Sequence, residues 1–538
     1  MKKLLITVSV LLVFVPLVFS GGGQAGGTST GSTAAANKGW TPWFEGRDFS
    51  KHYDIDFASV QVDANRDYNK GDEWVKRWTD TFNITWNLTP LTWDNWNERL
   101  RIWINSGDAP DMFVLNYNHG EAVNYAEQGM VKRLPDNWKT KYPNLAKAST
   151  DSPLGQMAEE LLGGTYYLYR PIFSLNRPSK KLSNHMSLYI RKDWGQAAGY
   201  PPKPLMKLSE IVEYGRRVKA ADPGKIGPGF APIMIRSGNL GALVHYNSTY
   251  AGAGTDPFYK GRDGKYHWGA ADPETLEALK ILNTAYREGI LDREFYTIQD
   301  PDDTASFHST GRSAVTTAEG MAAQMNRFAR DMKQNLGLNF ADAVEMVTVL
   351  GEDGYTHHTP LTNYWGVIAF SPDIDEEKLD RILQMFDYSC TEQGQLEIRC
   401  GIETKDWKLE PNREITSFLG AERDFNQVYA VHPVYGNMMI LSDDFQFRNP
   451  GFELVYREKA KEMYLLREQH STEASFPSEP DWNVVLHSSR ALNLASMVYA
   501  DEYSALIVKP GDIEANWRAW VREKMALIQP VLDELNAK

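Results

Sequence analysis

At 538 residues the chain is too long for a single hydrophobic core, so two or three domains are expected. A formal net charge of −13 argues against a nucleic-acid binder, which would show a basic stripe, and two cysteines cannot make a disulfide framework or a Cys-rich zinc site. Aromatic residues reach 12%, with 16 Trp and 26 Tyr, which suits a Trp-rich core and also a surface that stacks flat rings on pyranose faces.

Met1 to Ser20 has the form of an export signal: Lys2-Lys3, an apolar run from Leu4 to Val15, then Pro16 and Val18-Phe19-Ser20. Residues 21–39, rich in Gly, Ser, Thr and Ala, hold nothing to seed a core and are expected to be a tether with a reach of ~25 Å. Folded structure is expected from Trp40. Ile55 to Val62 is a strand pattern ending in Asp63-Ala64-Asn65-Arg66, Trp74-Val75-Trp78 marks a helix, and Ile84 to Leu88 a second strand. Trp93, Trp96, Leu100, Trp103 and Ile104 then recur at helical spacing. Ser106-Gly107-Asp108 ends that helix, Pro110 forbids its continuation, and Met112 to Leu115 is a short buried strand. This alternation predicts a mostly parallel α/β lobe, with ligands at the carboxyl ends of its strands.

Tyr166 to Pro171 and Ser187 to Trp194 form two extended segments around a polar loop. Helices are predicted over Leu208–Ala220, Pro273–Glu288 (with Asp272 as N-cap) and Glu376–Ser389 (with Asp375 as N-cap). Val344 to Leu350 is a further strand. Near the end, Ile513, Trp517, Trp520, Met525 and Ile528 share one helical face. Cys390 and Cys400 are left open between a pair and two buried thiols.

No phosphate loop, H-E-x-x-H, C-x-x-C or G-x-S-x-G motif is present. The run from Gly252 to Pro257 starts like a dinucleotide loop but lacks its third glycine. His357-His358 is adjacent rather than at helical spacing, so it is expected to be a solvated loop. Asp108 and Asp111 are read as capping and turn residues.

The string INSGDAPDMF (Ile104–Phe113), followed by YAEQGMVKRLPD (Tyr125–Asp136), resembles the extracellular solute-binding proteins of ABC importers. The likeness is to the large, lipoprotein-type oligosaccharide branch of family 1, through Ser106 to Asp111, Tyr125, Gly129 and Leu134. Further landmarks follow in order: Tyr166 to Pro171, which resembles the crossing between lobes, the strand around Tyr189-Ile190-Arg191-Lys192-Asp193, Phe307 to Thr316, Glu392 to Gly401 with Ile402-Glu403, and the closing helix. Gly21 stands where relatives carry a lipidated cysteine, which favours a freely secreted or periplasmic protein. Many relatives place a calcium loop after the helix ending near Ala220. Here 221–230 offers one carboxylate, so no calcium is expected.

The resemblance implies a two-lobed periplasmic-binding-protein fold of class II type, each lobe a mostly parallel sheet flanked by helices. Lobe 1 is expected over 40–168 plus 300–368 and lobe 2 over 169–299 plus 369–538, with Phe307 to Thr316 as a return strand into the first lobe. It implies a protein without a chemical step, in the periplasm or on the outer face of the cytoplasmic membrane. Such a protein binds an oligosaccharide or other small solute, hands it to ABC permease subunits, and works as a monomer without cofactor or metal. Ligand contacts are expected from Asn116, Tyr117, Asn118, Asn363, Tyr364 and Trp365, with Glu319, Arg170, Tyr246 and Trp268 in second rank. Clustered amides beside rings suit hydroxyl-rich ligands. Arg170 suits either an acidic sugar or an inter-lobe salt bridge, and a lone Trp such as Trp268 suits core packing. Two alternatives stay open: a secreted carbohydrate-active enzyme, which needs two carboxylates ~5 to 9 Å apart, and a binder of peptides or other solutes.

Overall fold

The structure, a computed structural model, describes residues 41–60, 62, 73–92, 95–115, 119–150, 153–171, 179, 181, 186–251, 257–299, 301–359, 364–412, 414–419, 428–429, 449, 451–481, 483–484 and 499–537. The export signal and tether expected from the sequence lie outside them. The short helix Thr41–Phe44 belongs to an N-terminal unit, 1–45, separate from the unit 46–538 that holds the elements below.

In chain order these are β1 (Tyr53–Val60), α1 (Glu73–Phe82), β2 (Ile84–Leu91), α2 (Trp96–Ser106), β3 (Met112–Leu115), α3 (Pro143–Thr150), β4 (Leu168–Pro171), β5 (Met186–Arg191), β6 (Leu205–Lys207), α4 (Leu208–Ala221) and α5 (Ser237–His245). Then follow β7 (Phe258–Lys260), β8 (Tyr266–Trp268), α6 (Pro273–Arg287), β9 (Val315–Glu319), α7 (Ala322–Leu336), β10 (Val344–Leu350), β11 (Tyr364–Phe370), α8 (Glu376–Ser389), α9 (Glu392–Cys400), α10 (Leu454–Gln469), α11 (Tyr499–Val508) and α12 (Ile513–Asn536).

The first sheet has the order β2-β1-β3-β11-β4. β1, β2 and β3 run parallel, and β11 runs against both β3 and β4. Its carboxyl edge is therefore made by Val60, Leu91, Leu115 and Pro171, with Tyr364 starting β11 beside Pro171. α1 buries Trp74, Val75, Trp78 and Phe82 as one stripe. Ring centroids 5.7 Å apart for Trp74–Trp78 and 5.4 Å for Trp78–Tyr388 tie that stripe to α8. α2 ends on Gly107 at φ +78, and Trp96 donates its indole N–H to the Val114 carbonyl at 2.8 Å, fixing the helix across β3. Asp111 accepts the Asp56 amide at 2.9 Å and Lys378 Nζ at 2.8 Å, so this carboxylate joins β1, the turn before β3, and α8.

The second sheet has the order β6-β10-β5-β9. β5 is antiparallel to both β10 and β9, so this sheet is mixed, where the sequence suggested a mostly parallel one. The direction follows from connectivity. β5 begins where the chain arrives from the first sheet, while β9 and β10 end at that same edge, with Met186 opposite Glu319. Both faces are covered: Leu188 and Ile190 enter one core with α4, α5, α6, α11 and α12, and Tyr189 enters another with Phe307, Phe328 and Met463.

Strand pairing moves the lobe border expected from the sequence. β9 and β10 hydrogen-bond within the second sheet, along pairs from Met186–Glu319 to Ile190–Val315, so the stretch from Phe307 is no return to lobe 1. That return begins at β11. α8 stays with lobe 1, where Asp387 accepts the amides of Asn144 at 2.8 Å and Leu145 at 3.0 Å. α11 and α12 close lobe 2: Asn283 donates to the Ile507 carbonyl at 2.7 Å and the Trp517 indole to Ala270 at 3.1 Å.

One turn design appears twice in lobe 2, as Gly261-Arg262-Asp263-Gly264-Lys265-Tyr266-His267 and Gly351-Glu352-Asp353-Gly354-Tyr355-Thr356-His357. In each, an Asp Oδ1 accepts an amide two residues on and meets the His Nε2 at 3.0 or 3.1 Å. The first glycine is needed because a Cβ there would sit 2.7 or 2.8 Å from that imidazole.

Candidate functional site

The site is framed by two strand edges and the chain crossings that join them, β4 to β5 and β10 to β11. Asn116, Tyr117, Asn118 and Asn363 lie outside the described residues. Tyr364 and Trp365 open β11 at the edge of the first sheet, and their backbone carries a bulge: Tyr364 pairs with Pro171 and Val367 with Tyr169, so Trp365 and Gly366 together oppose Arg170. Gly366 adopts φ +77, and a Cβ there would approach Val114 Cγ1 to 2.9 Å and Arg170 Nη2 to 3.9 Å. The Arg170 side chain, 5% exposed, thus lies under the bulge at the sheet's end.

On the second sheet Glu319 ends β9, half-buried, its backbone carbonyl accepting the Tyr189 hydroxyl at 2.5 Å. Opposite it, the Met186 carbonyl takes two donors, Tyr246 Oη at 2.9 Å and Arg467 Nη2 at 2.7 Å, while Arg467 also reaches Ser187 Oγ at 2.6 Å. Burial pushes the Tyr246 phenol up to about 12, so it stays a proton donor throughout the biological range. The structure therefore brings Tyr246 and Glu319 to one edge and Arg170 with the start of β11 to the other. Trp268 is placed elsewhere, in the lobe 2 core, 2% exposed with its ring 5.3 Å from Trp520.

Four residues absent from the sequence-predicted site anchor the second crossing. Thr356, His357, His358 and Thr359 are all buried, whereas His357-His358 is expected from sequence to be solvated. The reason is a set of partners distant in sequence, on α5, on α10 and in 470–476. The repeated turn ending in His357 is the available local signal.

Asp222 ends α4 at φ +39, and its carboxylate accepts the amides of Ile226 and Gly227, each at 2.9 Å. One side chain thus organises the loop at 221–230. No cluster of three or more His, Cys, Asp or Glu that could hold a metal occurs among the described residues. Cys390 and Cys400 are thiols rather than a disulfide, and burial pushes Cys400 up to about 12, far from the range of a nucleophile. A groove of about 650 Å³ beside Arg133, Trp138, Lys139 and Glu159 sits at the other end of the first sheet, where the Lys132 amide bonds the Phe370 carbonyl.

No family model matches the chain, and no curated protein sequence matches it. Solved structures do. The alginate-binding protein AlgQ2 without calcium ion superposes with a TM-score of 0.64 at 13% identity, covering 91% of this chain and 98% of that one. The S. pneumoniae ABC-transporter substrate-binding protein FusA, as an EF-hand mutant with fructo-nystose, gives 0.61 at 16% identity over 90% and 98%. The HMO-binding, ABC-transporter-associated solute-binding protein from Bifidobacterium longum infantis gives 0.58 at 15% over 90% and 98%. At these identities the likeness is one of fold: the chain has the two-lobed α/β fold of periplasmic binding proteins.

Proposed function

We propose that this protein is an exported solute-binding protein that closes on an oligosaccharide by hinge motion and delivers it to the permease of an ABC importer. The observation that carries the reading is the architecture itself. Two α/β halves, each built on its own sheet, are joined by chains that leave and enter at the same strand edges, an arrangement suited to rotation around a guest. The solved proteins with this fold are named for alginate, fructo-nystose and HMO binding, and they match almost end to end. Ligand contacts are assigned to Asn116, Tyr117, Asn118, Asn363, Tyr364 and Trp365, with Glu319 and Arg170 at the two edges. Tyr246 holds the start of β5 and Trp268 supports the core. No chemical step is needed, and function is affinity plus a closed shape. The protein acts as a monomer in the periplasm or on the outer face of the cytoplasmic membrane.

Mass spectrometry of small molecules released from freshly purified protein, followed by calorimetry against a saccharide panel, tests this. One-to-one binding without change to the sugar is expected. Steady release of reducing ends, or binding of peptides alone, would refute it.

A further inference from the structure

The crossing from β10 to β11 is fastened to lobe 2 by residues 356–359. The Thr356 amide donates to His470 O at 2.9 Å and its hydroxyl to Arg467 O at 2.7 Å. His357 Nδ1 lies 3.0 Å from Thr249 Oγ1, and the His358 amide donates to Ser475 O at 3.0 Å. The last fastening differs in kind: the Thr359 amide donates to an imidazole nitrogen, His245 Nε2 at the end of α5, at 3.4 Å. A ring nitrogen accepts only when it carries no proton, so His245 must be neutral with its hydrogen on Nδ1.

Nothing around it favours a charge. His245 and His358 meet edge to face, 6.1 Å between ring centroids, and the Nδ1 of each is buried without a hydrogen-bond partner among the described residues. Tyr246 and Phe476 face His358 at 5.9 and 5.2 Å. The charged or titratable neighbours are His357 on the crossing and Arg467 on α10. Asp353 is engaged with His357, Lys181 lies over the Phe476 ring, and Glu468 accepts the Ser179 hydroxyl. Burial, with His357 beside it, lowers His245 to about 4, and burial with Arg467 lowers His358 well below the usual histidine range.

We propose that the buried His245–His358 pair is a proton-sensitive latch that fastens the β10–β11 crossing to lobe 2. A proton on His245 Nε2 turns the acceptor into a donor aimed at another donor, and this fastening is lost. Loosening of the hinge, and with it weaker ligand retention in acid, is a consequence that rests on the proposed function. The latch itself is measured without ligand.

Hydrogen exchange of the ligand-free protein, corrected for the intrinsic rate, is followed from pH 7 to pH 4. A ring that regains an ordinary pKa when released gives a protection loss at Thr356–Thr359 of up to about 100-fold, and at least 10-fold is expected. Leu188–Ile190 in β5 should keep their protection. In His245→Gln, whose amide oxygen accepts at any pH, the loss should vanish. Equal loss in that variant, no loss in the wild type, or parallel loss in β5 would overturn the proposal. Should the variant not fold, imidazole NMR of the wild type decides: protonation of His245 must coincide with loss of the Thr359 amide, and separate midpoints refute the latch.

Discussion

Gly366→Ala is expected to weaken both the first lobe and ligand binding. Two costs add. An alanine at φ +77 carries the left-handed penalty of about 1–2 kcal/mol. Its Cβ would also stand 2.9 Å from Val114 Cγ1, a β-branched side chain with little rotamer freedom, and overpacking of that kind costs about 1–3 kcal/mol. The sum is about 2–5 kcal/mol. Gly107→Ala is the control: φ is +78 but no atom lies within 4 Å of the added carbon, so only the first cost applies. Urea unfolding of both variants, followed by tryptophan fluorescence, measures the difference. Calorimetry with the best sugar should show a tenfold or greater loss for Gly366→Ala, since the bulge sets the start of β11, and little change for Gly107→Ala. Equal destabilisation by the two substitutions would refute the steric reasoning.

Asp111→Ala removes the acceptor shared by Asp56 and Lys378 and should cost about 1–3 kcal/mol in urea unfolding, with sugar affinity intact. Asp222→Ala should cost about 1–3 kcal/mol by freeing two amides, while chelator or added calcium leaves the wild-type melting curve in place. A calcium-dependent shift would disprove the single-carboxylate account of that loop. Trp268→Ala should destabilise lobe 2 by about 3–5 kcal/mol yet leave affinity within twofold, and a tenfold affinity loss in folded variant would make Trp268 a ligand residue. Because the folded-state value of His245 is depressed, its stability contribution is complete above the unfolded value near 6.5 and is lost as pH falls towards about 4. For closing of the latch that window holds about 3 kcal/mol, read as the difference between wild type and His245→Gln in the acid loss of Thr359 amide protection.

The parts of this fold that can be read from sequence are those whose information is local. The Trp96, Leu100 and Ile104 part of the α2 stripe ending in Gly107, the apolar run of β3, and the Asp375 cap of α8 each rest on residues a few positions apart, and the structure builds each of them, while Trp93 lies outside the described residues and Trp103 is only half-buried. The lobe border is not local. Whether the stretch around Val315 pairs with β3 or with β5 depends on which edge the chain reaches. A short strand such as VTTAE, buried over its first four residues yet half polar, fits either sheet, so its sequence carries no address. The mixed direction of the second sheet has the same origin, since strand direction is set by connectivity rather than by side chains.

The site shows the same division more sharply. Asn116 to Asn118 stand out locally, as amides and a ring after a buried strand. His357 and His358 do not, because two adjacent histidines look polar and solvated from within their own segment. What buries them comes from far along the chain: the Arg467 carbonyl is 111 residues from the Thr356 hydroxyl it accepts, and His245 is 114 from the Thr359 amide. A crossing segment must surrender the partners of one lobe before it gains those of the other. Its polar groups are therefore satisfied by whatever elements converge on it, and those elements need not be neighbours in sequence. Hinges are for that reason the part of a two-lobed binder hardest to read from its residues. On the proposed function, they are also where one change of protonation state, at a ring such as His245, would act on the movement of a whole lobe.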